Sequence, residues 1–382
     1  MKVAVCLPSF NEAKNIRNIT QIVDQGLSDF IAGNPGISAE IVNVDSDSID
    51  DTAKIFLDTK TFNPKYSILL KEPSGKGKNI LEFCSYALSN QIDFCLTIDT
   101  DVVSASPEWI TKLLTPLVKG SAGYVTPIYE RSRFEGSSTN HFVFPIIYAL
   151  FGYIIRQPIA GDFAFTKKIA QDIFENNLRS NELIQSYGID TYMTICAIGA
   201  GAEIAQVNLG RKLHSPSFGK LEYMFPQIAA TMLLSGNKIH FSEKPLEMHE
   251  IKNNILPDLN FTHKKITEEM RDQALGILES NIDKDWVSDE QILKFVMAAK
   301  NFNHEEALMV ATWTDVLASW IRHFLNPILT PEEARLAGNE LLPFFVIRAT
   351  NFWFWAETVK AIDVERAIEN QAKMLRDKIQ TK

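Results

Sequence analysis

Over its first hundred residues the chain alternates short apolar runs with amphipathic segments, and this rhythm constrains the fold more than any other feature. Val3-Ala4-Val5-Cys6-Leu7, Glu40-Ile41-Val42-Asn43-Val44, residues 67–70 and Phe94-Cys95-Leu96-Thr97-Ile98 read as strands. Between them, residues 11–27, 50–57 and 78–89 read as helices. Strands and helices in strict turn argue a parallel sheet covered on both faces. Ligands on such sheets gather beyond the carboxyl ends of the strands. Pro8, Asp45, Lys76 and Asp101 all lie at or just past those ends.

Further on the pattern is mixed. Gly123-Tyr124-Val125-Thr126-Pro127 and Glu203-Ile204-Ala205-Gln206-Val207 read as strands, with a long helix after Ser138 and another after Ile189. From about residue 267 only helices are expected, over 268–282, 289–300, 304–324, 331–342 and 364–379. At 382 residues the chain is long enough for two domains. The polar, proline-bearing stretch around 245–265 divides residues 1–245 from a helical region, 246–382.

Charge narrows the choice of partners. With 47 acidic against 38 basic residues the net charge is −9, and no basic stripe interrupts it. Nucleic acid is thereby excluded as a partner. An anionic ligand would have to be held by local cations or a metal. Cys6, Cys84, Cys95 and Cys196 have neither zinc-site nor redox spacing and read as buried small hydrophobes. The chain enters a strand at Met1-Lys2-Val3, without a signal-peptide pattern, so cytoplasm is the expectation. Residues 142–155 are too short and interrupted to span a membrane, and 341–359 carry Arg348, Asn351 and Glu357. No transmembrane segment is expected.

Asp99-Thr100-Asp101 follows the fourth strand directly. Two carboxylates one residue apart at a strand end suit a hard divalent cation such as Mg2+ or Mn2+, which in turn holds a diphosphate. Residues 45–52, Asp-Ser-Asp-Ser-Ile-Asp-Asp-Thr, cap a helix and could leave a carboxylate at the sheet edge for a base or ribose. Gly75-Lys76-Gly77 allows close backbone approach and offers a cation to phosphate, although a solvated turn explains it equally. His214 follows a strand and two cations and is either a core histidine or a metal ligand. Asp190 opens a helix as a cap or as an active-site carboxylate.

Taken in order, Pro8-x-x-Asn11-Glu12, the Asp-Ser-rich turn, Gly75-Lys76-Gly77, Asp99-x-Asp101, Gly161-Asp162 and a late His214 resemble nucleotide-sugar glycosyltransferases of the GT-A fold. Residues 157–162, 187–190 and 206–214 look like glucosyl-3-phosphoglycerate synthases, while 99–112 look more like mannosylglycerate synthase. The resemblance implies an α/β, Rossmann-like GT-A domain followed by an all-helical region. It also implies retaining, metal-dependent transfer of a hexose from a GDP- or UDP-sugar to glycerate or its phosphate.

By motif, Pro8, Phe10, Glu12 and Ser46 would line the nucleoside pocket, and Lys76 would meet the base or phosphates. Asp99 and Thr100 would face ribose or sugar, and Asp101 and His214 would ligate the metal. Ile159 to Gly161 would form a shelf beneath the sugar, Asp162 and Asp190 would bond its hydroxyls, and Lys212 would accompany the diphosphate. Asp190 is also the carboxylate nearest in role to a base. The phosphoglycerate enzymes carry Gly-Gly-Arg-Val-Thr-Glu where this chain reads Glu135-Gly136-Ser137-Ser138-Thr139-Asn140. The missing arginine favours an unphosphorylated carboxylate acceptor, clamped by Arg131 or Arg133 with Thr139.

Two other readings stand beside this one. A polyprenyl-phosphate sugar synthase shares the opening motifs, though the helical tail argues against it. A non-catalytic sugar-nucleotide sensor would bind the donor without transfer. The aromatic run Phe344, Phe345, Phe352, Trp353, Phe354, Trp355 is expected as core, or as the seam of a homodimer through the helical region.

Overall fold

The computed structural model describes residues 1–72, 74–213, 221–237, 264–280, 285–300, 305–326 and 328–380, with 264–266 as backbone only. The domain boundary expected at 245 lies outside these residues. Contacts divide the chain into two compact units, and each is interrupted in sequence. The first holds Met1–Tyr129 with Gln157–Leu221, the second Glu130–Arg156 with Glu222–Lys382.

The first unit is built on a seven-stranded sheet: β1 (Lys2–Ser9), β2 (Ser38–Asp45), β3 (Lys65–Leu69), β4 (Phe94–Thr97), β5 (Tyr124–Glu130), β6 (Phe163–Thr166) and β7 (Ile204–Arg211). Their spatial order is β3-β2-β1-β4-β6-β5-β7. β1 is central and flanked by parallel partners, Val5 lying against Ile41 of β2 and Leu96 of β4. Both its faces are covered, so its apolar run is continuous rather than alternating.

The sheet is mixed, however, and not parallel throughout as the alternation suggested. β6 runs antiparallel to both β4 and β5. Only four residues long, β6 carries no periodic signature of its own. Its reversed direction lets the turn that precedes it, residues 159–162, meet the carboxyl end of β4.

Two helical layers cover the sheet. One holds α1 (Ile16–Gly33), α2 (Thr52–Asp58) and α4 (Pro107–Val118); the other holds α3 (Lys76–Ser89), α6 (Lys167–Glu175) and α7 (Ile189–Gly199). In α1, Ile16, Ile19, Val23, Leu27 and Phe30 fall at three- and four-residue intervals and are buried, while Arg17, Asn18, Gln21, Gln25 and Asp29 face water. A short 3-10 turn, Asn177–Ser180, links α6 to the segment before α7.

The second unit is helical. It comprises a π-turn, Thr139–Val143, that runs into α5 (Phe144–Phe151), then α8 (Leu221–Gly236), α9 (Lys264–Ser280), α10 (Asp289–Lys300), α11 (Glu306–Phe324), α12 (Pro331–Ala356) and α13 (Ala361–Gln380). α12 begins with a full capping box, Thr330 and Glu333 bonding each other's backbone, and with Pro331 at its first position.

The sequence reading ends this helix before Pro343, yet it continues thirteen residues beyond. The aromatic run lies within that continuation and is buried, so it forms core. Phe225 and Phe345 stack at 3.7 Å, and Gly338 admits Pro226 so closely that a Cβ would sit 2.4 Å from its carbonyl oxygen. Packing of this density outweighs the hydrogen bond lost at the proline. Among the described residues no helix is long and apolar enough to cross a membrane.

Candidate active site

The carboxyl ends of β1, β2 and β4 carry the loops that matter. The loops after β1 and β2 are laced together. Asn11 N–H donates to Ser48 Oγ at 2.8 Å, Glu12 N–H to Thr52 Oγ1 at 2.8 Å, and Ala13 N–H to Asp50 Oδ2 at 3.0 Å. Asn11, Asp47 and Asp51 adopt left-handed backbone angles, φ 56, 60 and 64°, in this lacing. Asn and Asp tolerate that region better than other side-chain-bearing residues.

Asp45 does not offer a carboxylate to a ligand. Its oxygens accept from Ser9 Oγ at 2.9 Å, Ser48 N–H at 2.8 Å and Ser48 Oγ at 2.8 Å, and the residue is buried. Ser46 is buried too, bonded to Asn79 Oδ1 and lying 3.1 Å from Ser74 Oγ. Phe10, by contrast, is 49% exposed. Pro8 is buried and accepts from Thr100 Oγ1 at 2.9 Å, which fixes the Asp-x-Asp turn to the end of β1.

At the centre lies a chain of alternating charge. Lys76 Nζ sits 2.6 Å from Asp99 Oδ1 and 3.3 Å from Asp190 Oδ1. Lys212 Nζ sits 3.3 Å from Asp99 Oδ2 and 2.7 Å from Asp162 Oδ2, and donates to Ala160 O at 2.6 Å. Five residues from five separate motifs therefore converge, three carboxylates against two ammonium groups.

Burial alone would raise the Asp99 carboxyl, but the two lysines more than offset it and hold it at about 2. Asp190 goes the other way. Burial pushes it up, Asp99 adds to that, and Lys76 only partly compensates. Burial works against the charge on Lys76, yet Asp190 and Asp99 raise it above the ordinary lysine value.

Two kinds of glycine make the convergence possible. Gly161, at φ 83°, turns the chain into β6 directly above Asp99, and a Cβ there would lie 1.9 Å from Asp99 Oδ2. Gly75 and Gly77 admit backbone, but it is the chain's own and not that of a ligand. Gly77 N–H donates to Ser186 O at 3.1 Å and Lys78 N–H to Gln185 O at 3.0 Å. A Cβ on Gly77 would fall 1.8 Å from Ile184 O. This close fit joins the start of α3 to the segment leading into α7, and so sets Lys76 beside Asp190.

Asp101 is half-buried, two residues past Asp99. Val103 N–H donates to Leu213 O at 2.9 Å and Leu213 N–H to Ser104 Oγ at 2.8 Å, tying the loop after Asp101 to the end of β7. His214 lies outside the described residues. Ile159 is half-buried and Gly161 buried in the turn before β6. Asp162 is fully buried, with three protein donors on it: Asp99 N–H at 2.9 Å, Lys212 Nζ, and the Tyr129 hydroxyl. Nothing in the sequence singles out Tyr129, because its role depends on burial against Asp162.

Arg131, Arg133 and Thr139 belong to the second unit. Arg133 Nη1 donates to Ala356 O at 2.7 Å and Val359 O at 2.8 Å, closing the C-terminus of α12, and Thr139 is buried in the π-turn. Arg131 is half-buried beside Gly136.

A mixed seven-stranded α/β sheet of this order, followed by a helical region, is a Rossmann-like GT-A domain. Residues 4–177 match the model of Glycosyl transferase family 2. That stretch, a little under half of the chain, is similar to glycosyl transferase family 2 domains, and the chain is an enzyme, a hexosyltransferase using a nucleoside diphosphate sugar.

Curated relatives include glucosyl-3-phosphoglycerate synthase of Mycolicibacterium smegmatis, 25% identical over 252 residues, covering 60% of this chain and 76% of that protein. The enzyme of the same name from Mycobacterium tuberculosis is 24% identical over 251 residues, covering 60% and 72%. Among solved structures, glucosyl-3-phosphoglycerate synthase from Mycobacterium tuberculosis in complex with Mn2+, uridine diphosphate and phosphoglyceric acid matches at 23% identity and a TM-score of 0.49. That match covers 61% of this chain and 78% of the other.

Proposed function

We propose that this enzyme moves glucose or mannose from a UDP- or GDP-sugar to the hydroxyl of a small hydroxy acid of the glycerate type. Transfer would proceed with retention of configuration and with Mg2+ or Mn2+ as cofactor. One observation carries the reading: Asp99 lies between Lys76 and Lys212 at the carboxyl edge of the sheet, with Asp190 on the other side of Lys76. The curated relatives, which bear the name glucosyl-3-phosphoglycerate synthase, support a glycerate-type acceptor.

Of the two proposed metal ligands, Asp101 is among the described residues and His214 is not. Among the described residues no group of three or more His, Cys, Asp or Glu could hold a metal. An ion on Asp101 would draw its other ligands from His214 and from the donor's own phosphates, a mixture that suits Mg2+ and Mn2+. When bound, it would neutralise charge on the leaving diphosphate.

Pro8, Phe10 and Glu12 would frame the nucleoside, with Ser46 holding that loop from beneath. Asp99 and Thr100 would orient ribose or sugar, above the shelf of Ile159 to Gly161. Lys76 and Lys212 would keep Asp99 ionised. In transfer, the bond from the anomeric carbon to the diphosphate oxygen breaks, and the bond to the acceptor oxygen forms on the same face. The acceptor's proton passes to the leaving phosphate oxygen, while Asp190 orients the reacting hydroxyls. Arg131 or Arg133, with Thr139, would clamp the acceptor carboxylate.

A matrix of UDP-glucose, GDP-glucose and GDP-mannose against glycerate, 3-phosphoglycerate and lactate, with Mg2+ or Mn2+ and read by mass spectrometry, tests the proposal. Product with glycerate supports it. Product with 3-phosphoglycerate alone favours the phosphorylated acceptor that the relatives' names suggest, and no product in any well overturns it. Asp101→Ala and chelation by EDTA are each expected to abolish transfer with an unchanged circular dichroism spectrum. Full turnover in either would refute the metal assignment.

A further inference from the structure

Lys212 is a buried ammonium with every proton directed. Its nitrogen meets Asp162 Oδ2 at 2.7 Å, Ala160 O at 2.6 Å and Asp99 Oδ2 at 3.3 Å. The Tyr129 ring lies under it, with its centroid 5.1 Å from the nitrogen. The Tyr129 hydroxyl bonds the same Asp162 oxygen that Lys212 uses. Tyr129 is itself buried, its ring set 5.8 Å from Trp109.

The arrangement has a direction. Asp162 takes the Tyr129 hydroxyl and Lys212 on one oxygen and the Asp99 amide on the other. A buried charge without such partners is strongly disfavoured. A cation held by a carboxylate, a carbonyl and an aromatic face has one place to sit. That place helps set which way the Asp99 carboxylate faces, since Asp99 Oδ2 is the third contact of Lys212 at 3.3 Å, while Lys76 holds the other oxygen at 2.6 Å.

We propose that Tyr129 is a positioning residue for the donor: through Asp162 and its ring face it fixes Lys212, and through Lys212 it orients Asp99. Asp162 then serves as an internal strut, not as a sugar ligand. This inference rests on the proposed donor-binding role of Asp99.

The test is a double-mutant cycle on kcat/KM and on the affinity for UDP and GDP with Mn2+, measured by calorimetry. Tyr129→Phe, which keeps the ring and removes the hydroxyl, is expected to lower kcat/KM about tenfold, the scale typical of lost outer-shell support. Its urea midpoint is expected to fall with the loss of one charge-assisted hydrogen bond, while the circular dichroism spectrum stays that of the wild type. Tyr129→Leu, which also removes the ring face, is expected to lose more. In a Lys212→Met background, Tyr129→Phe is expected to add less than about threefold, because its effect passes through the missing ammonium. Should Lys212→Met not fold, the cycle is closed with the isosteric Asp162→Asn.

Independent, multiplying effects, or a Tyr129→Phe enzyme with wild-type kcat/KM, would overturn the positioning role while leaving the reading of function intact. A wild type that neither binds UDP or GDP nor transfers a hexose refutes that reading, and the donor role built on it.

Discussion

At the scale of single residues, one carboxylate has been placed between two cations and its neighbour has not. Asp99 is pulled below its ordinary range, so its contribution to stability is complete above the unfolded value near pH 4 and is lost as pH falls toward 2. Asp190 is raised, and its protonation relieves an unfavourable charge at higher pH, before that loss begins. In metal-free buffer the wild type should therefore lose about 2 kcal/mol of unfolding free energy between pH 4 and pH 2 through Asp99. Asp99→Asn should flatten that interval; urea titrations at half-unit pH steps would show it, and an unchanged slope would rule the assignment out. Reading the sequence alone identifies Lys76, Asp99 and Asp190 as candidates from their places at a turn, a strand end and a helix start, and Lys212 through the resemblance. It does not pair them, since pairing is a property of the fold. Asp45 shows the cost: its residue type suits ribose, yet its oxygens are spent on Ser9 and Ser48.

At the scale of elements, the start of α3 carries the site. Gly77→Ala would press a methyl group to 1.8 Å from Ile184 O, so the helix start or the 184–186 segment must move and Lys76 with it. We expect a loss of about 1–3 kcal/mol in stability and at least tenfold in transfer. Gly33→Ala, at the end of α1 with nothing within 4 Å of the added carbon, is expected to stay within about 0.5 kcal/mol of wild type. Equal effects would show that the fit at Gly77 is not what matters.

α1 is legible from sequence because burial of one face imposes its period, and β1 and β2 because burial on both faces makes them short, nearly continuous apolar runs. β6 is not, having four residues between Gly161-Asp162 and a helix. The extent of α12 is not legible either, because a proline normally ends a helix and here the stacked aromatics override it.

At the scale of the molecule, the second unit depends on a buried ion pair. Arg348, fully buried, forms two bonds to Glu306, Nη1 to Oε2 at 3.0 Å and Nη2 to Oε1 at 2.6 Å, and its Nε donates to Gln371 Oε1 at 3.0 Å. Arg348→Met leaves Glu306 alone in the core and is expected to cost about 3–5 kcal/mol. Adding Glu306→Leu should restore most of it. Tryptophan fluorescence during urea unfolding reads this unit selectively, because five of the six tryptophans, all but Trp109, lie within it.

The order in which the chain visits its two units carries a consequence for anyone recombining this enzyme. The chain leaves the first unit at 130, returns at 157 and leaves again at 222. The excursion contains α5, whose eight residues are all buried and which packs against α13 at the far end of the chain. A stop codon at 222 would not release a clean catalytic module, for it would strand α5 with its greasy surface uncovered and yield an insoluble product. Exchanging the second unit for another therefore requires two splices, one replacing 130–156 and one replacing everything after 221, drawn from the same parent.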